Sequence, residues 1–298
     1  TVRFTRGVAR TPAKAEEYCA AHGIALTDAY GSVLADPEID GVVLATPHSQ
    51  HADQVVAAAA AGKHVFCEKP FTLTKADAER AIAATKAAGV VLALGHNRRF
   101  LPAVRKLKSL VDEGALGKII NIEGNMSGHV GGRYRDGMWR VSATESPAGG
   151  MAGSGIHVID TMIHLIGPIA EVSAQSFRLV HEFQLDDTTN MLFRFENGAT
   201  GYLTAMTATA PTFRINVFGD KAAAELRGER MLTVHPIAGE TITTEYGEFS
   251  TERAQLEAFA DAIEGNAPYP VPLEDVLAGI GAFEAVPRSV TERGWVPA

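Results

Sequence analysis

The first hundred residues alternate short apolar runs with amphipathic segments, and the connections between them are short. The apolar runs predict strands at residues 2–9, 41–45, 64–67 and 90–94, and the amphipathic segments predict helices at residues 13–22, 50–61 and 75–88. Such an alternation is typical of a parallel sheet covered by helices on both faces. Residues 1–98 are therefore predicted to form an α/β domain built on a parallel sheet.

After residue 100 the pattern changes to longer runs rich in β-branched residues, separated by turn signals. These runs predict strands at residues 118–127, 171–179, 188–195, 199–207, 213–219 and 223–227. The sequence Glu196-Asn197-Gly198 predicts a hairpin turn between two of them. Helices are predicted at residues 158–166, 252–264 and 273–291. Residues 99–298 are therefore predicted to form a second domain, of the α+β class, with a large and mostly antiparallel open sheet.

The composition limits the kinds of partner and location. With 46% hydrophobic and 21% charged residues, the chain resembles an ordinary globular protein. A net charge of −8 argues against nucleic acid or an anionic membrane as a partner. No apolar stretch is long enough to span a bilayer, and the first residues lack the apolar core of a signal peptide, so we expect a cytoplasmic protein. Only two cysteines are present, which argues against a disulfide framework or a cysteine metal site.

A dinucleotide-binding sheet normally begins with a strand and a glycine-rich turn, and no such turn precedes the first predicted strand. Because the first strand is central in that sheet, we expect a strand, turn and helix of roughly 30 residues to precede this sequence in the natural protein. An α/β domain that binds no nucleotide and has another strand order remains an alternative.

Polar residues follow three predicted strands of the first domain. The strand at 64–67 leads into Glu68-Lys69-Pro70, the strand at 41–45 into Thr46-Pro47, and the strand at 90–94 into a polar run from residue 95 to residue 99. Carboxyl ends of parallel strands border the crevice where open α/β sheets bind ligands. Lys69 could donate to a substrate oxygen, and burial would bring its pKa towards neutrality. A surface Glu-Lys pair is the alternative.

Residues after the first predicted strand bear on the choice of coenzyme. A domain that selects NAD carries an acidic residue there to bind the ribose 2′-hydroxyl, but this chain has Ala9, Arg10 and Thr11. A guanidinium and a hydroxyl suit a 2′-phosphate, which favours NADP and leaves NAD possible. A solvated arginine at the start of a helix is the alternative interpretation.

A glycine-rich segment at residues 149–155 precedes His157, Asp160 and His164. Their helical spacing raises the question of a metal site. A zinc site needs a third ligand and supporting groups around the ligands, which we cannot identify, so we predict no metal. A histidine whose hydrogen bonds are satisfied by its surroundings is the commoner case. His48 and His51 stand at the start of a helix beside the expected coenzyme. Residues that could form the wall of a polar substrate pocket are Arg99, Trp139, Arg140 and Asp160, although each is often structural.

Four motifs together resemble the glucose-fructose oxidoreductase and inositol dehydrogenase (Gfo/Idh/MocA) family. They are Glu68-Lys69-Pro70, Ala45-Thr46-Pro47, the run from Gly95 to Phe100, and the run from Gly155 to Asp160. The resemblance covers essentially the whole chain, in order. It implies an amino-terminal Rossmann domain, followed by an α/β domain whose open sheet faces the coenzyme and substrate on one side and commonly a partner subunit on the other.

The resemblance also implies roles for individual residues. Lys69 would polarise the reacting oxygen and relay its proton, and His157 would act as general acid-base at the same carbon. The implied coenzyme contacts are Thr46, Pro47, His51, Glu68 and Asn97. One departure is Gly153, because the family often carries an aspartate four residues before the histidine. Either Lys69 and His157 suffice, or Asp160 or a carboxylate of the substrate takes part of that role.

The leading hypothesis is an NAD(P)-dependent oxidoreductase that acts on CH–OH groups of a polyol, sugar or keto-sugar. The resemblance implies a homodimer or homotetramer. A non-catalytic sensor of a dinucleotide or other ligand, and an NAD-dependent enzyme that cleaves glycosides without net redox change, are the alternatives.

Overall fold

A computed structural model describes residues 2–298 of the chain. The chain begins with two short parallel strands, β1 (Arg6–Val8) and β2 (Ala25–Thr27), which pair only with each other and are connected by helix α1 (Glu16–Ala21). Helix α2 (Tyr30–Leu34) follows. Most side chains of this opening unit are exposed or half-buried. The strand predicted at residues 2–9 is shorter than expected, because only Arg6–Val8 forms a strand. Strand β2 and helix α2 were not predicted, because their apolar runs are short.

A second parallel sheet has the order β3–β4–β5, formed by Gly41–Leu44, His64–Cys67 and Leu92–Leu94. Helices α3 (His51–Ala60) and α4 (Lys75–Ala88) connect these strands. The α4 helix begins where the Thr74 side chain accepts the Asp77 N–H, and it ends at Gly89, whose φ of +67° is readily adopted only by glycine. The strand at 64–67 and the helix at 75–88 were predicted with these same bounds.

The rest of the chain is organised around a nine-stranded sheet of order β13–β12–β11–β10–β6–β9–β8–β7–β14. All neighbouring strands run antiparallel except β6 and β9. The strands are β6 (Ile119–Ser127), β7 (Ile169–Phe177), β8 (Thr188–Phe195), β9 (Thr200–Met206), β10 (Thr212–Gly219), β11 (Ala222–Arg227), β12 (Met231–Pro236), β13 (Ile242–Glu245) and β14 (Val296–Pro297). The predicted fold class is confirmed. Strands β12 to β14 were not predicted.

One face of the large sheet is covered by helix. Four helices belong to this part of the chain: α5 (Pro102–Asp112), which was not predicted, α6 (Ile156–Ile166), α7 (Thr251–Ile263) and α8 (Leu273–Glu292). The α6 helix lies so close to β6 that a Cβ at Gly124 would be 2.5 Å from Val158 and 2.7 Å from Met162. On the other face, Leu192 of β8 and Tyr202 of β9 are exposed register partners. None of the helices formed by residues 2–298 has both the length and the apolar composition needed to cross a bilayer.

Helix α8 also contributes to the core beneath the small parallel sheet. Val276 and Ile280 are buried in the same apolar cluster as Val65 and Leu94. Burial of these side chains stabilises the contact between the end of the chain and the β3–β4–β5 sheet by roughly 1.5–3 kcal/mol for each residue. The boundary between residues 98 and 99 stays a prediction.

A buried ion cluster joins the small sheet to the helices of the large one. Arg99, which follows β5, is 3% exposed and donates to both carboxylate oxygens of Asp160 on α6 at 2.7–3.1 Å. It also donates to Asp275 on α8 at 2.7 Å. Burial alone would raise the pKa of the Asp160 carboxyl, but His96 and Arg99 hold that pKa below its usual range. Three segments distant in the sequence therefore meet at one guanidinium.

Loss of the Asp160 charge should destabilise the fold. In Asp160→Asn the Arg99 guanidinium stays buried without its main counter-charge, and we expect the free energy of unfolding to fall by about 3 kcal/mol. Urea unfolding at neutral pH measures this loss. The matched control is Glu171→Gln, because Glu171 pairs with Arg194 at 2.9 Å on the surface, where we expect a change below about 0.5 kcal/mol. Equal effects of the two variants would contradict a structural role for the buried cluster.

Candidate functional site

A cavity of about 390 Å³ opens at the carboxyl ends of β3 and β4. One side of its wall comes from the small parallel sheet and α3. The opposite side comes from the segment between β6 and α6, which contains short helical turns but no strand. The lining residues that carry polar side chains are Thr46, His48, His51, Glu68, Lys69, Tyr134, Trp139, Arg140, Ser146, Ser154 and Thr207. Two halves of the chain thus enclose one polar cavity.

Lys69 crosses the cavity from the end of β4. Its Nζ donates to the backbone carbonyl of Gly153 at 2.8 Å, and the Lys69–Pro70 peptide bond is cis. Burial lowers the pKa of Lys69 to about 8, Arg98 and Arg140 act in the same direction, and Glu68 opposes them. An amine with this pKa exchanges its proton near neutral pH, which is the property required of a general acid-base.

Glu68 lies on the inner wall beside Lys69. A Cβ at Gly95 would be 3.0 Å from the Glu68 carboxylate, so the glycine after β5 makes room for this side chain. The carboxylate accepts the backbone N–H of Lys69 at 3.3 Å. Burial raises the pKa of Glu68, although the neighbouring Lys69 limits the rise. Glu68 therefore provides the nearest negative charge to the amine.

His157 stands in the first turn of α6, directly after a π-helical turn formed by Met151–Gly155. Its side chain is buried, and its Nδ1 has no hydrogen-bond partner among the described residues. Burial lowers the pKa of His157 well below its usual value, and the positive charge of Lys69 lowers it further. The imidazole is therefore neutral at physiological pH. The Gly153 carbonyl, which accepts from Lys69, belongs to the π-helical turn that leads into His157.

The two other histidines of the site organise its backbone. His51 lies between the carbonyls of Thr46 and Pro70, with one ring nitrogen 3.0 Å from each, and so connects the ends of β3 and β4. The His48 Nδ1 lies 2.6 Å from the carbonyl of Glu145. Burial lowers the pKa of both rings, to about 4 for His48. His48 is therefore neutral at physiological pH.

The segment from residue 130 to residue 146 closes the opposite side of the cavity. The Arg140 guanidinium stacks on the Trp139 ring at 4.1 Å, and Trp139 meets the His48 ring edge-on at 4.8 Å. The Glu145 carboxylate accepts the backbone N–H of Ser49 at 3.1 Å and also binds its hydroxyl. These contacts hold the segment against the start of α3.

The structure does not bring every predicted site residue into the cavity. Ala9, Arg10 and Thr11 follow β1 and do not line the cavity. Arg10 and Thr11 are exposed. Arg99 and Asp160 form an ion pair with each other and do not line the cavity either. Their burial in an ion cluster does not fit the substrate contacts we expected of them.

Three other predicted residues do not line the cavity. His157 lies in the first turn of α6. Pro47 connects Thr46 to the turn that contains His48. Asn97 donates to Glu252 at 3.1 Å.

Sequence reasoning missed several groups of the cavity wall. Tyr134, Ser146, Ser154 and Thr207 line it, and the Gly153 carbonyl accepts from Lys69. No motif marks these residues, because they come from turns and from the end of a strand whose partners are remote in the sequence. The glycine-rich run at 149–155 was the one signal that a backbone approaches a ligand there.

The buried polar groups fit a coenzyme better than a metal ion. Within residues 2–298 no group of three or more His, Cys, Asp or Glu side chains is placed to hold a metal, and His164 lies 3.2 Å from the Arg99 guanidinium. In the same part of the chain, Asn97 Oδ1, Arg98 Nε and His157 Nδ1 are buried without hydrogen-bond partners. None of these three residues lines the cavity itself. Buried polar groups need polar partners, which the carboxamide and ribose hydroxyls of a nicotinamide coenzyme would offer.

Models of known protein families match most of the chain. Residues 3–96 match a model described as an oxidoreductase family with an NAD-binding Rossmann fold, and residues 104–225 match the GFO/IDH/MocA C-terminal domain. Myo-inositol 2-dehydrogenase of Thermotoga maritima is 30% identical over 284 residues, which span 88% of this chain and 80% of that protein.

Solved structures show the same fold along nearly the whole chain. A Desulfitobacterium hafniense protein, described as an NADPH-dependent oxidoreductase, superposes with a TM-score of 0.91 at 25% identity, covering 99% of this chain and 90% of that one. A levoglucosan dehydrogenase complex with NADH and levoglucosan gives a TM-score of 0.90 at 24% identity, covering 98% and 89%. The chain belongs to the Gfo/Idh/MocA family of NAD-binding oxidoreductases.

Proposed function

We propose that the protein transfers a hydride between NADP and a hydroxyl- or carbonyl-bearing carbon of a small polyol, sugar or keto-sugar. The observation that carries this proposal is the amino group of Lys69, which lines the cavity, donates to the Gly153 carbonyl at 2.8 Å and has a pKa of about 8. The named activity of the Thermotoga maritima relative, an inositol dehydrogenase, supports the substrate class.

The protein's own residues supply the proton chemistry of this reaction. When bound, a nicotinamide coenzyme supplies or accepts the hydride. In the protonated form, Lys69 Nζ polarises a substrate carbonyl oxygen and gives it a proton; in the neutral form it takes the proton of a hydroxyl. The neutral His157 ring can accept or return that proton at a ring nitrogen. Glu68, Thr46, His51 and Asn97 are the proposed coenzyme contacts of the family pattern.

The Lys69 proton should govern the pH dependence of turnover. Because only the ammonium polarises a carbonyl, reduction should slow as the pH rises through about 8, and oxidation should accelerate over the same interval. In Lys69→Met we expect kcat/KM to fall by about 10²- to 10⁴-fold and this pH dependence to vanish. Nicotinamide absorbance, followed in both directions over a panel of polyols and keto-sugars, measures both effects.

Lys86→Met, which removes a lysine near the end of α4, is the matched control and should keep wild-type turnover. Coenzyme titration should give similar affinities for all three proteins, which separates loss of chemistry from loss of folding. Coenzyme binding without turnover, unaffected by Lys69→Met, would contradict the proposal and indicate a sensor. Turnover without net change in the coenzyme's redox state would indicate glycoside cleavage.

A preference for NADP over NAD belongs to the same proposal. The segment from Ala9 to Thr11 carries no carboxylate to bind a ribose 2′-hydroxyl, and the exposed Arg10 can approach a 2′-phosphate. Fluorescence titration should therefore give a lower Kd for NADP than for NAD. Arg10→Ala should raise the Kd for NADP about tenfold or more with little effect on NAD, because a charge-assisted hydrogen bond is lost. Lys86→Ala is the charge-matched control; tighter binding of NAD by the wild type would refute the preference.

The exposed face of the large sheet is the surface we propose for assembly into a homodimer or homotetramer. Leu192 and Tyr202 stand side by side on neighbouring strands, 52% and 36% exposed, and Trp295 at the sheet's end is 41% exposed. Apolar side chains grouped on an open face are typical of an interface.

Both cysteines are free thiols, which fits the cytoplasmic location that we also propose.

A charge on this face should weaken the assembly. We expect sedimentation velocity to show a dimer or tetramer for the wild type and a shift to monomer for Leu192→Arg, because the guanidinium would be desolvated at the interface. Ile237→Arg is the control, since Ile237 is 78% exposed and lies just beyond β12. A wild-type protein that sediments as a monomer at micromolar concentration would exclude this interface.

A further inference from the structure

The charges that face the cavity are unbalanced. Lys69 and Arg140 contribute positive charge, and Glu68 is the one carboxylate among the lining residues. The Glu68 carboxylate already has a hydrogen-bond partner, because it accepts the backbone N–H of Lys69. It also packs against Gly95. Glu145, on the segment that closes the cavity, is bound by Ser49. The cavity therefore presents more positive charge than its own carboxylates neutralise.

Arg140 is the arginine that lines the cavity, at a position where the residue is exposed. Within residues 2–298 no carboxylate lies within ion-pair distance of its guanidinium, whereas Arg98 pairs with Glu229 and Arg99 with Asp160. The guanidinium carbon lies over the Trp139 ring, 4.1 Å from the ring centroid. This contact orients its donors at low entropic cost, and a planar fork of donors matches a carboxylate.

The wall opposite Lys69 leaves room for an added group. A Cβ at Gly153 would meet only the Tyr134 hydroxyl, at 3.9 Å, so no side chain fills the space beside the lysine. The side-chain groups on this part of the wall, Tyr134 and Ser154, are hydroxyls, which can donate to an anion. The space next to the reacting oxygen is therefore lined by donors and contains no protein carboxylate.

We propose that the substrate itself carries a carboxylate, which Arg140 binds while Lys69 acts on a neighbouring hydroxyl or carbonyl. The inference rests on the proposed function and narrows its substrate class to sugar acids, such as aldonic or uronic acids. A carboxylate at this place supplies the missing negative charge and pairs with a guanidinium that otherwise has none. The binding energy of that pair orients the reacting carbon relative to Lys69.

Matched pairs of compounds test the proposal: gluconate against sorbitol, and glucuronate against glucose. With the protein and NADP or NAD, kcat/KM for the acid should exceed that for the neutral partner by about tenfold or more, and this preference should shrink at high salt. In Arg140→Gln the preference should fall about tenfold, chiefly through KM, and Arg140→Lys should restore part of it. Arg133→Gln, which removes an exposed charge outside the cavity lining, should keep the wild-type preference.

Isothermal titration of gluconate into the protein–coenzyme complex gives a readout that does not depend on turnover. The proposal expects a Kd for gluconate that rises about tenfold in Arg140→Gln but not in Arg133→Gln. Equal or faster turnover of the neutral partners would overturn the carboxylate inference and leave the hydride transfer intact. Saturable gluconate binding without hydride transfer would support the carboxylate site and refute the proposed function. A preference for glucose 6-phosphate over glucuronate would overturn the choice of a carboxylate.

Discussion

The position of the whole site depends on the Arg99 guanidinium. It lies just beyond β5 and binds Asp160 on α6 and Asp275 on α8, so that the small parallel sheet is connected to both of these helices. His157 precedes Asp160 by less than one turn of the same helix. A buried ion pair seldom adds much net stability, because desolvation opposes the Coulombic attraction. Its consequence here is geometric: it fixes the start of α6 relative to the end of β4, and therefore His157 relative to Lys69.

The electrostatics of the cavity follow from this arrangement. Burial depresses the pKa of Lys69 and of His157, and the positive groups around the cavity act in the same direction. Glu68 opposes them and keeps the Lys69 pKa near 8 instead of lower. A glycine at position 95 is what admits that carboxylate. The proton-handling ability of the lysine is thus a balance between desolvation and one adjacent charge, which is how active sites commonly adjust an amine.

Local patterns in the sequence were sufficient for some elements but not for others. The strand at 64–67, the helix at 75–88 and the strand at 188–195 match the predicted bounds because each has a clear apolar period and distinct ends. Strands β13 and β14, at the two edges of the sheet, and β12 beside β13 were missed, since half-exposed strands carry a weaker apolar signal. Arg99 and Asp160 were predicted as substrate contacts because the sequence cannot reveal that they pair across 61 positions. Partner choice over such separations is a property of the folded state.

The two sides of the cavity differ in how they are built, and this difference separates chemistry from specificity. Glu68 and Lys69 extend from the end of β4, whose last three residues are buried, so their positions are constrained by the core. Arg140 and Trp139 belong to a segment without strands, held to α3 mainly through Glu145 and the His48 ring. Changes in such a segment cost the core little, so it can vary while the proton-handling group stays in place. The groups that select a substrate are then expected on this segment, and Arg140 is its charged residue that lines the cavity.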